Sequence, residues 1–302
     1  SYVPRPQGWR DRWVCERPEP APGAAAAEGA EPPGGGAQVA LRGGTLVVDA
    51  TGLPAGYRQW VTYRNWDLDA GKEEVLRDEF VYNGPHRGAP RAVHDFLVEC
   101  VLAAEAGDGR FALRLTDGRD RVTAELPVGQ APGPARLVRE PGEVLATAEG
   151  ARLAPGSRAE VTFALFDRRV LFSLDGEEVF GQVDLPEVPT RAEVSRPLQL
   201  SAQGAAVAVE GLRLYRDVHY APVGRHAVRE PYRLPAGEYF VLGDNSGNSD
   251  DSRWWRTPGV PEESFLGKPF LLHQPSRTAR WELFGEPRAV RVIDWGRVRW
   301  IR

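Results

Sequence analysis

The middle of the chain alternates apolar and polar residues in short runs, from residue 41 to about residue 215. Each run is bounded by Gly, Asp or Pro. Because side chains along a strand point alternately to its two faces, such runs predict strands with one buried face. The clearest predicted strands cover residues 45–49, 59–63, 94–103, 111–115, 121–126, 160–165, 170–174 and 207–215.

Asp-Gly pairs stand between predicted strands at Asp117-Gly118 and at Asp175-Gly176. This pair tolerates the positive φ of tight hairpin turns, so a β-hairpin is predicted at each position. No segment shows the periodicity of a convincing amphipathic helix. Eight or more short strands with frequent Gly and Pro turns predict a mainly β fold, built as a jelly-roll-like two-sheet sandwich.

Composition changes along the chain divide it into three regions. Residues 1–40 are predicted to be an N-terminal segment and a flexible linker, because residues 16–38 consist mostly of Pro, Ala, Gly and Glu. Residues 41–218 are predicted to form the sandwich, and residues 219–302 a separate C-terminal part. The sequence contains no Met, so we expect it to begin inside a longer gene product.

Composition and charge narrow the function classes. With 302 residues, 42% of them hydrophobic, the chain has enough apolar material for two domains. The net charge of -4 gives no reason to expect a nucleic-acid partner, because such proteins carry a concentrated basic face. Cys15 and Cys100 have no other Cys or His at metal-ligand spacing, so neither a metal site nor a disulfide framework is predicted. No run approaches the roughly 18 to 20 apolar residues that cross a bilayer.

The part of the sequence that carries chemistry is residues 237–255, where a short apolar run enters a loop rich in carboxylates, amides and hydroxyls. Gly243 stands where a side chain would obstruct close backbone approach. Asp251 and Arg253 lie two residues apart, so in an extended stretch they point to the same side. We expect them to form a charge-assisted pair with each other or with neighbouring groups. Ser249 lies on that side too, so a hydroxyl, a carboxylate and a guanidinium could line one wall of a cleft. Such a wall would orient a catalytic group but would not supply one.

This segment resembles the last conserved box of type I signal peptidases, which reads Gly-Asp-Asn, three residues, Ser, any residue, Asp-Ser-Arg and usually an aromatic residue. Each of these positions is matched here, by Gly243, Asp244, Asn245, Ser249, Asp251, Ser252, Arg253 and Trp254. Val260-Pro261 and the run Phe-Leu-Gly-Lys-Pro-Phe at residues 265–270 are similar to the family's continuation. The sequence departs from the family pattern at residues 256–257 and 274–275, outside the box.

The resemblance implies a membrane-bound serine endopeptidase that removes signal peptides from exported preproteins, using a Ser-Lys dyad and no cofactor. It implies a location on the outer, periplasmic face of the bacterial cytoplasmic membrane, through a transmembrane helix upstream of this sequence. By matching positions, Ser249 would hydrogen-bond the ammonium group of the lysine, while Asp251 and Arg253 would pair to hold the loop. Asp244 and Asn245 would shape the turn beside the site. All box residues are thus expected to support the active site rather than act as the nucleophile.

Neither member of the dyad is recognisable in the sequence. The family's serine box, Ser-Met-x-Pro, cannot occur in a chain without Met. Lys72 lies in an acidic, Gly-flanked stretch, and Lys268 matches a structural position after the box. We therefore expect no catalytic residue and no peptidase activity in this chain alone, with the serine and the lysine upstream. The family carries a variable insert between its lysine box and its last box, so the sandwich is predicted to be an enlarged insert.

A second functional class stays open, in which the sandwich binds a glycan or a protein and the box is a remnant of a lost enzyme. Residues 94–122 and 161–180 loosely resemble laminin-G or concanavalin-like sandwiches. The aromatic side chains that a sugar would stack on are Tyr57, Trp60, Tyr63 and Trp66. For Trp60 and Tyr63, which lie in an apolar run, packing in the core is the favoured role. A spacer without a ligand is the third possibility.

Two weaker hypotheses concern the C-terminal part. Residues 219–302 are mildly basic and contain several Trp, which would suit a membrane surface with anionic headgroups. The polar loop that begins at residue 244 places oxygen atoms at alternating positions, as calcium loops do. However, Ser249 stands where an EF-hand-type loop needs Gly, and Trp255 stands where it needs Glu. No metal site is therefore predicted.

Overall fold

The computed structural model describes residues 12–21, 37–42, 44–67, 71–78, 91–217, 223–243 and 249–267 and, beyond these, the strands at 271–272, 276–283, 286–293 and 299–300. The chain divides into two compact units. The first comprises Ser1–Asp78 and Arg91–Val218, and the second comprises Glu79–Pro90 and His219–Arg302. Each unit is described below by itself.

The first unit is a sandwich of antiparallel strands. In chain order they are β1 Trp13–Cys15, β2 Glu19–Pro20, β3 Gln38–Arg42, β4 Thr45–Asp49, β5 Tyr57–Tyr63, β6 Trp66–Asp67, β7 Lys72–Glu73, β8 Phe96–Thr116, β9 Arg121–Val128, β10 Ala135–Arg139, β11 Glu143–Ala148, β12 Arg158–Phe166, β13 Arg169–Leu174, β14 Glu177–Glu178, β15 Val183–Asp184 and β16 Leu198–Arg216. The prediction of a mainly β, jelly-roll-like sandwich is confirmed.

Two long strands, β8 and β16, run through both layers of the sandwich and pair with each other along their length. In the first layer, the first half of β8 pairs with β12 and the second half of β16 pairs with β4, which gives the order β15-β13-β12-β8-β16-β4-β3. In the second layer, the second half of β8 pairs with β9 and the first half of β16 pairs with β5. The order there is β11-β10-β9-β8-β16-β5-β1.

The bend between the layers lies at glycines. Gly107 and Gly204 have positive φ angles of 81° and 62°, and a Cβ on Gly109 would overlap the carbonyl oxygen of Gln203. The pairing register also shifts just after Gln203. Bulges and glycines of this kind let a strand pass from one sheet to the other. The prediction of separate strands at 94–103 and 111–115 is therefore wrong, because the Gly-rich stretch between them is a bend within one strand, β8.

One apolar core joins the two layers. It includes Val98 and Phe163 from the first layer, and Leu113 and Leu126 from the second, all fully buried. Polar residues precede some of these side chains, as Thr162 precedes Phe163 and Glu125 precedes Leu126, whereas residues 205–209 of β16 are apolar and buried throughout. The alternation therefore marks the inner faces in part.

The two predicted hairpins are confirmed. Thr116 pairs with Arg121 across the turn that contains Gly118, whose φ is 86°. Leu174 pairs with Glu177 across Asp175 and Gly176, whose φ angles are 51° and 83°.

A third tight turn, between β12 and β13, lacks glycine. Asp167 and Arg168 adopt φ angles of 44° and 63° there, which is unfavourable for residues with a Cβ. The buried guanidinium of Arg168 bonds to Asp117 and to Asp120, each at 2.5 Å. This contact holds the turn against the neighbouring hairpin, and the local sequence gives no sign of it.

The segment before β3 is partly integrated into the sandwich. Strands β1 and β2 pair with β5, and Glu16 accepts hydrogen bonds from Thr62 and Gln199. The flexible-linker prediction is wrong for residues 16–21, because composition does not reveal backbone pairing along a sheet edge. Residues 22–36 of that linker lie outside the described residues, and Gln38 at its end already belongs to β3.

The second unit has short strands. They are β17 Glu238–Phe240, β18 Gly259–Pro261, β19 Leu271–Leu272, β20 Ser276–Leu283, β21 Glu286–Ile293 and β22 Arg299–Trp300, with a 3-10 helix at Glu262–Ser264. Antiparallel pairs form between β17 and β18, β20 and β21, and β19 and β22. In the described part of the chain, no helix has the length and hydropathy needed to span a membrane.

Candidate active-site support in the C-terminal unit

The predicted box lies between β17 and β18. Gly243 follows β17 closely, and residues 249–255 precede β18. Asp244 and Asn245, which we predicted to shape the turn, lie outside the described residues. The structure therefore describes five of the predicted supporting residues: Gly243, Ser249, Asp251, Ser252 and Arg253.

The expected pair between Asp251 and Arg253 is confirmed. The Nε and one terminal nitrogen of Arg253 donate to the two carboxylate oxygens of Asp251 at 2.8 and 2.7 Å. The two residues are only 3% and 4% exposed. The backbone here is a turn rather than the extended stretch we assumed, because the N–H groups of Trp254 and Trp255 both donate to the carbonyl of Asp251. Fork-to-fork pairing of this kind gives strong orientation.

The Asp251 carboxylate also receives hydrogen bonds from its surroundings. The backbone N–H of Gly243 donates to it at 3.0 Å, and that of Arg253 at 3.1 Å. Burial raises the pKa of Asp251, but the hydrogen bonds from Arg253, from the two backbone groups and from the Ser249 hydroxyl outweigh this effect and lower it to about 2. The carboxylate is therefore ionised at any physiological pH.

Ser252 fastens the same turn to the chain that follows β17. Its hydroxyl accepts the N–H of Val241 at 2.9 Å, and its own N–H donates to the carbonyl of Val241 at 3.1 Å. Ser252 is 0% exposed. This reciprocal pair gives Ser252 a structural role and takes up its hydroxyl as an acceptor.

Glycines allow the box to close tightly. A Cβ on Gly243 would overlap the side chain of Ser249, so the glycine is required by Ser249 rather than by a close backbone. A Cβ on Gly224 would lie 2.7 Å from the Cβ of Arg253. The carbonyl of Arg253 accepts the N–H groups of Arg225 and His226 at 2.7 and 3.1 Å.

The support from residues 224–226 was missed by the sequence analysis. Only the glycine hinted at it, and a lone glycine before a basic residue is too common a signal to indicate a contact with the box.

Of the two lysines in the sequence, Lys72 lies in the described part of the chain. Lys72 lies in β7 of the first unit, where the hydrogen bond to Glu74 at 3.0 Å raises its pKa. A general-base lysine needs the opposite shift. Lys268 lies outside the described residues. The described residues also contain no cluster of His, Cys, Asp and Glu arranged to hold a metal ion.

The second unit exposes large apolar side chains next to the box. Tyr239 and Phe265 contact each other edge to face at 5.1 Å between ring centroids, yet they are 47% and 49% exposed. Leu242 and Leu266 are exposed as well. Tyr239 and Phe265 thus form an exposed aromatic pair on the second unit.

The aromatic residues considered as sugar platforms in the sandwich are largely packed. Trp60 and Tyr63 are 1% and 4% exposed, so their predicted role in the core is confirmed. The guanidinium of Arg114 lies over the Trp60 ring at 3.8 Å from its centroid, and that of Arg58 at 4.7 Å. The ring of Trp66 is covered in the same way by Arg64.

Comparisons with known proteins bear on the region of the box. Residues 191–273 match the family model described as signal peptidase, peptidase S26. The chain is 35% identical over 79 residues to signal peptidase I of Pseudomonas fluorescens, covering 24% of this chain and 25% of that protein. It is 35% identical over 83 residues to signal peptidase I of Haemophilus influenzae, covering 26% and 23%. The chain thus spans about a quarter of the length of these curated relatives.

The sandwich is similar in structure to a carbohydrate binding module from Bacillus subtilis. The TM-score is 0.38 and the identity 11%, with 59% of this chain and 91% of that chain covered. A likeness of this strength carries no information about what the sandwich binds. The family similarity, by contrast, includes all of the box, and it begins at residue 191, before the boundary at 219 that the sequence pattern predicted. The C-terminal part of the chain is therefore similar to peptidase S26 signal peptidases.

Proposed function

We propose that this chain is part of a type I signal peptidase-like membrane serine endopeptidase that removes signal peptides from exported proteins. Residues 219–302 would be the C-terminal part of its catalytic domain, and residues 41–218 a sandwich inserted ahead of it. The observation that carries the proposal is the buried Asp251–Arg253 pair, whose carboxylate also accepts the N–H of Gly243. It occurs within the segment matched by the family model.

Each box residue has a supporting role in this proposal. The Ser249 hydroxyl donates a hydrogen bond to the Asp251 carboxylate, so its oxygen lone pairs are left to accept a hydrogen bond from the ammonium group of a lysine. Asp251 and Arg253 hold the loop that presents Ser249. Gly243 leaves room for the Ser249 side chain, and Asp244 and Asn245 shape the turn.

The nucleophilic serine and the general-base lysine belong, in this proposal, to a segment outside this chain. The exposed apolar cluster around Tyr239 and Phe265 supports it, because that segment would need an apolar surface to pack on. The same segment would carry the membrane helix and place the site at the periplasmic face of the bacterial cytoplasmic membrane. The chain alone is then inactive.

The proposal is tested by measuring cleavage of a preprotein by this chain alone and by the longer gene product that contains it. The chain alone should leave the preprotein uncut, and the longer gene product, prepared in membranes, should release the signal peptide. In the longer product, Arg253→Ala should lower cleavage by about a hundredfold, the loss expected when a catalytic group is misplaced by about 1 Å. Arg256→Ala removes an exposed arginine from the same loop and is the matched control.

Two results would contradict the proposal. Cleavage by the chain alone would show that it holds its own nucleophile. Absence of cleavage by the longer product would leave the alternative function, a glycan- or protein-binding sandwich on an inactive peptidase remnant. That alternative is favoured by one observation, a polar cavity on the sandwich.

A further inference from the structure

A cavity of about 520 Å³ opens on the sandwich, lined by residues of the first unit between Glu16 and Gln199. Its volume is within the range of small-ligand sites, roughly 300 to 1,000 Å³. It lies on the outer face of the second layer, because Thr62, Arg114 and Gln199 from neighbouring strands line it. The chemistry of its lining limits what it can hold.

The floor of the cavity is a chain of hydrogen bonds across the sheet. The amide nitrogen of Gln199 donates to Thr62 at 2.8 Å and to Glu16 at 3.0 Å. The guanidinium of Arg114 donates to the oxygen of Gln199 at 3.1 Å and to Thr123 at 2.9 Å. These side chains are fixed by one another, so the floor is a preformed polar surface.

Arg114 places a positive charge in this floor. It is 8% exposed, and burial lowers its pKa to about 10, which leaves it charged at neutral pH. Its remaining terminal nitrogen lies 2.9 Å from Glu140. The charge of Arg114 is therefore compensated within the cavity, so the attraction for an anion must come from another cation of the lining.

No aromatic side chain is among the described residues that line the cavity. The nearest aromatic platform, Trp60, is 1% exposed and has guanidinium groups stacked on it. A neutral sugar held by stacking on an aromatic ring therefore has no surface to use here. Ligands that are recognised through hydrogen bonds and charge remain.

The carboxylates of the cavity are already engaged. Glu16 accepts from Thr62 and Gln199, Glu140 is paired with Arg114 and Arg121, and Glu193 is paired with Arg77. These contacts fix the carboxylates in place, and each carboxylate keeps lone pairs that can accept hydrogen bonds from ligand hydroxyl groups.

The arginines at the rim differ among themselves. Arg196 is held by Glu73 through two hydrogen bonds, and Arg121 is held by Glu140. Arg119 is exposed on the turn between β8 and β9, and within the described residues its guanidinium forms no ion pair. It is the donor left over for a ligand, and a guanidinium fork fits a carboxylate or phosphate in bidentate fashion.

We propose that this cavity binds a sugar that carries a carboxylate, such as a uronate unit of an acidic polysaccharide, with the carboxylate on Arg119 and the hydroxyl groups over the polar floor. The site is independent of the peptidase proposal, since every residue that forms it lies in the sandwich. A free oxyanion such as phosphate can also bind to a guanidinium, but it lacks the hydroxyl groups of a sugar. Comparing the two ligands therefore shows whether the cavity recognises an acidic sugar or any anion.

Titration calorimetry on the full chain tests the proposal with three probes: digalacturonate, neutral digalactose and inorganic phosphate. Digalacturonate should bind, and its affinity should exceed that of the other two by at least about tenfold, the loss expected for one charge-assisted hydrogen bond. Arg119→Ala should weaken digalacturonate binding by a similar factor. Arg158→Ala removes an exposed arginine from the other layer and should leave binding unchanged.

Each other outcome overturns the proposal. If digalactose bound as tightly as digalacturonate, the carboxylate would contribute nothing to recognition. If phosphate bound as tightly as digalacturonate, the sugar hydroxyl groups would contribute nothing. Absence of digalacturonate binding would reject the site. Thermal unfolding of Arg119→Ala should match that of the unsubstituted chain, because this side chain is exposed, so a weakened affinity would not come from a lost fold.

Discussion

The two units of this chain differ in the side chains that they bury. The large aliphatic and aromatic side chains that the structure describes as buried lie in the sandwich, at or before Leu214, next to a smaller number of buried polar ones. In the second unit, the buried side chains with polar groups are Asp251, Ser252 and Arg253, while Tyr239 and Phe265 are exposed. The sandwich is thus held by apolar area removed from water, and the box by hydrogen bonds around a buried ion pair.

The two kinds of buried side chain have different effects: apolar burial contributes stability, while a buried ion pair mainly fixes the orientation of its partners. A buried ion pair contributes little net stability, because removing two charges from water offsets their attraction. It does hold its partners in one arrangement. The buried polar side chains of the second unit therefore fix the conformation of a loop.

The largest expected effect belongs to the sandwich core. Phe163 is fully buried and contacts Phe172 edge to face at 5.6 Å. Phe163→Ala should lower the free energy of unfolding by about 4 kcal/mol, through lost apolar burial and the cavity left behind. Phe166→Ala, on the same strand but 39% exposed, should cost about 1 kcal/mol or less. Urea unfolding of the full chain measures both, and similar losses would contradict a sandwich held by its core.

Next in size is the loss of the buried pair. Arg253→Ala leaves the Asp251 carboxylate buried without its cation, which should destabilise the second unit by about 3 kcal/mol. Hydrogen exchange at the amide of Ser252 should accelerate accordingly, while amides of β8 and β12 keep their protection. Arg256→Ala, on an exposed arginine of the same loop, is the control. Replacing Asp251 and Arg253 together should cost less than the sum of the single changes, since no unpaired charge remains.

The sequence predicted the two units through different signals. In the sandwich, alternation of apolar residues predicts β4, β9 and β13 closely, since a strand that covers a core must alternate. It fails at Gly107, because a glycine-rich bend within one strand looks like a turn between two. It also fails at Arg168, whose positive φ depends on carboxylates 51 and 48 residues away in sequence.

In the second unit, the box was predicted from a motif, while the alternation of apolar and basic residues at 288–302 predicts only a strand. The pair of Asp251 and Arg253 was predicted on the assumption of an extended backbone, whereas the two side chains meet across a turn. The contacts of Gly224 and of the following N–H groups with Arg253 were not predictable, because they come from a segment more than 25 residues earlier that has no regular structure.

Protonation of Asp251 at low pH should lower the free energy of unfolding by a smaller amount. Its pKa is lowered from 3.8 to about 2 in the folded chain, so the ionised carboxylate contributes stability above pH 3.8. That contribution, about 2 kcal/mol, is lost as the pH falls from 3.8 through 2. The amide proton of Gly243, which donates to this carboxylate, should titrate in NMR spectra with a midpoint near 2. A midpoint near 3.8 would mean that the carboxylate is not held as the structure has it, and Arg253→Gln should move the midpoint upward.

The smallest expected effect comes from removing the Ser252 hydroxyl while leaving the Asp251–Arg253 pair intact. Ser252→Ala removes the acceptor of the Val241 N–H but keeps the reverse bond from the Ser252 N–H to the Val241 carbonyl. The loss should be about 1 kcal/mol, which corresponds to roughly fivefold faster hydrogen exchange at the Val241 amide. Ser264→Ala, on an exposed serine of the same unit, should change nothing. If Val241 exchanges at its original rate in Ser252→Ala, the serine hydroxyl adds no restraint of its own to the turn. If the rate rises as expected while the Gly243 amide stays protected, the serine hydroxyl and the ion pair restrain the box independently of each other.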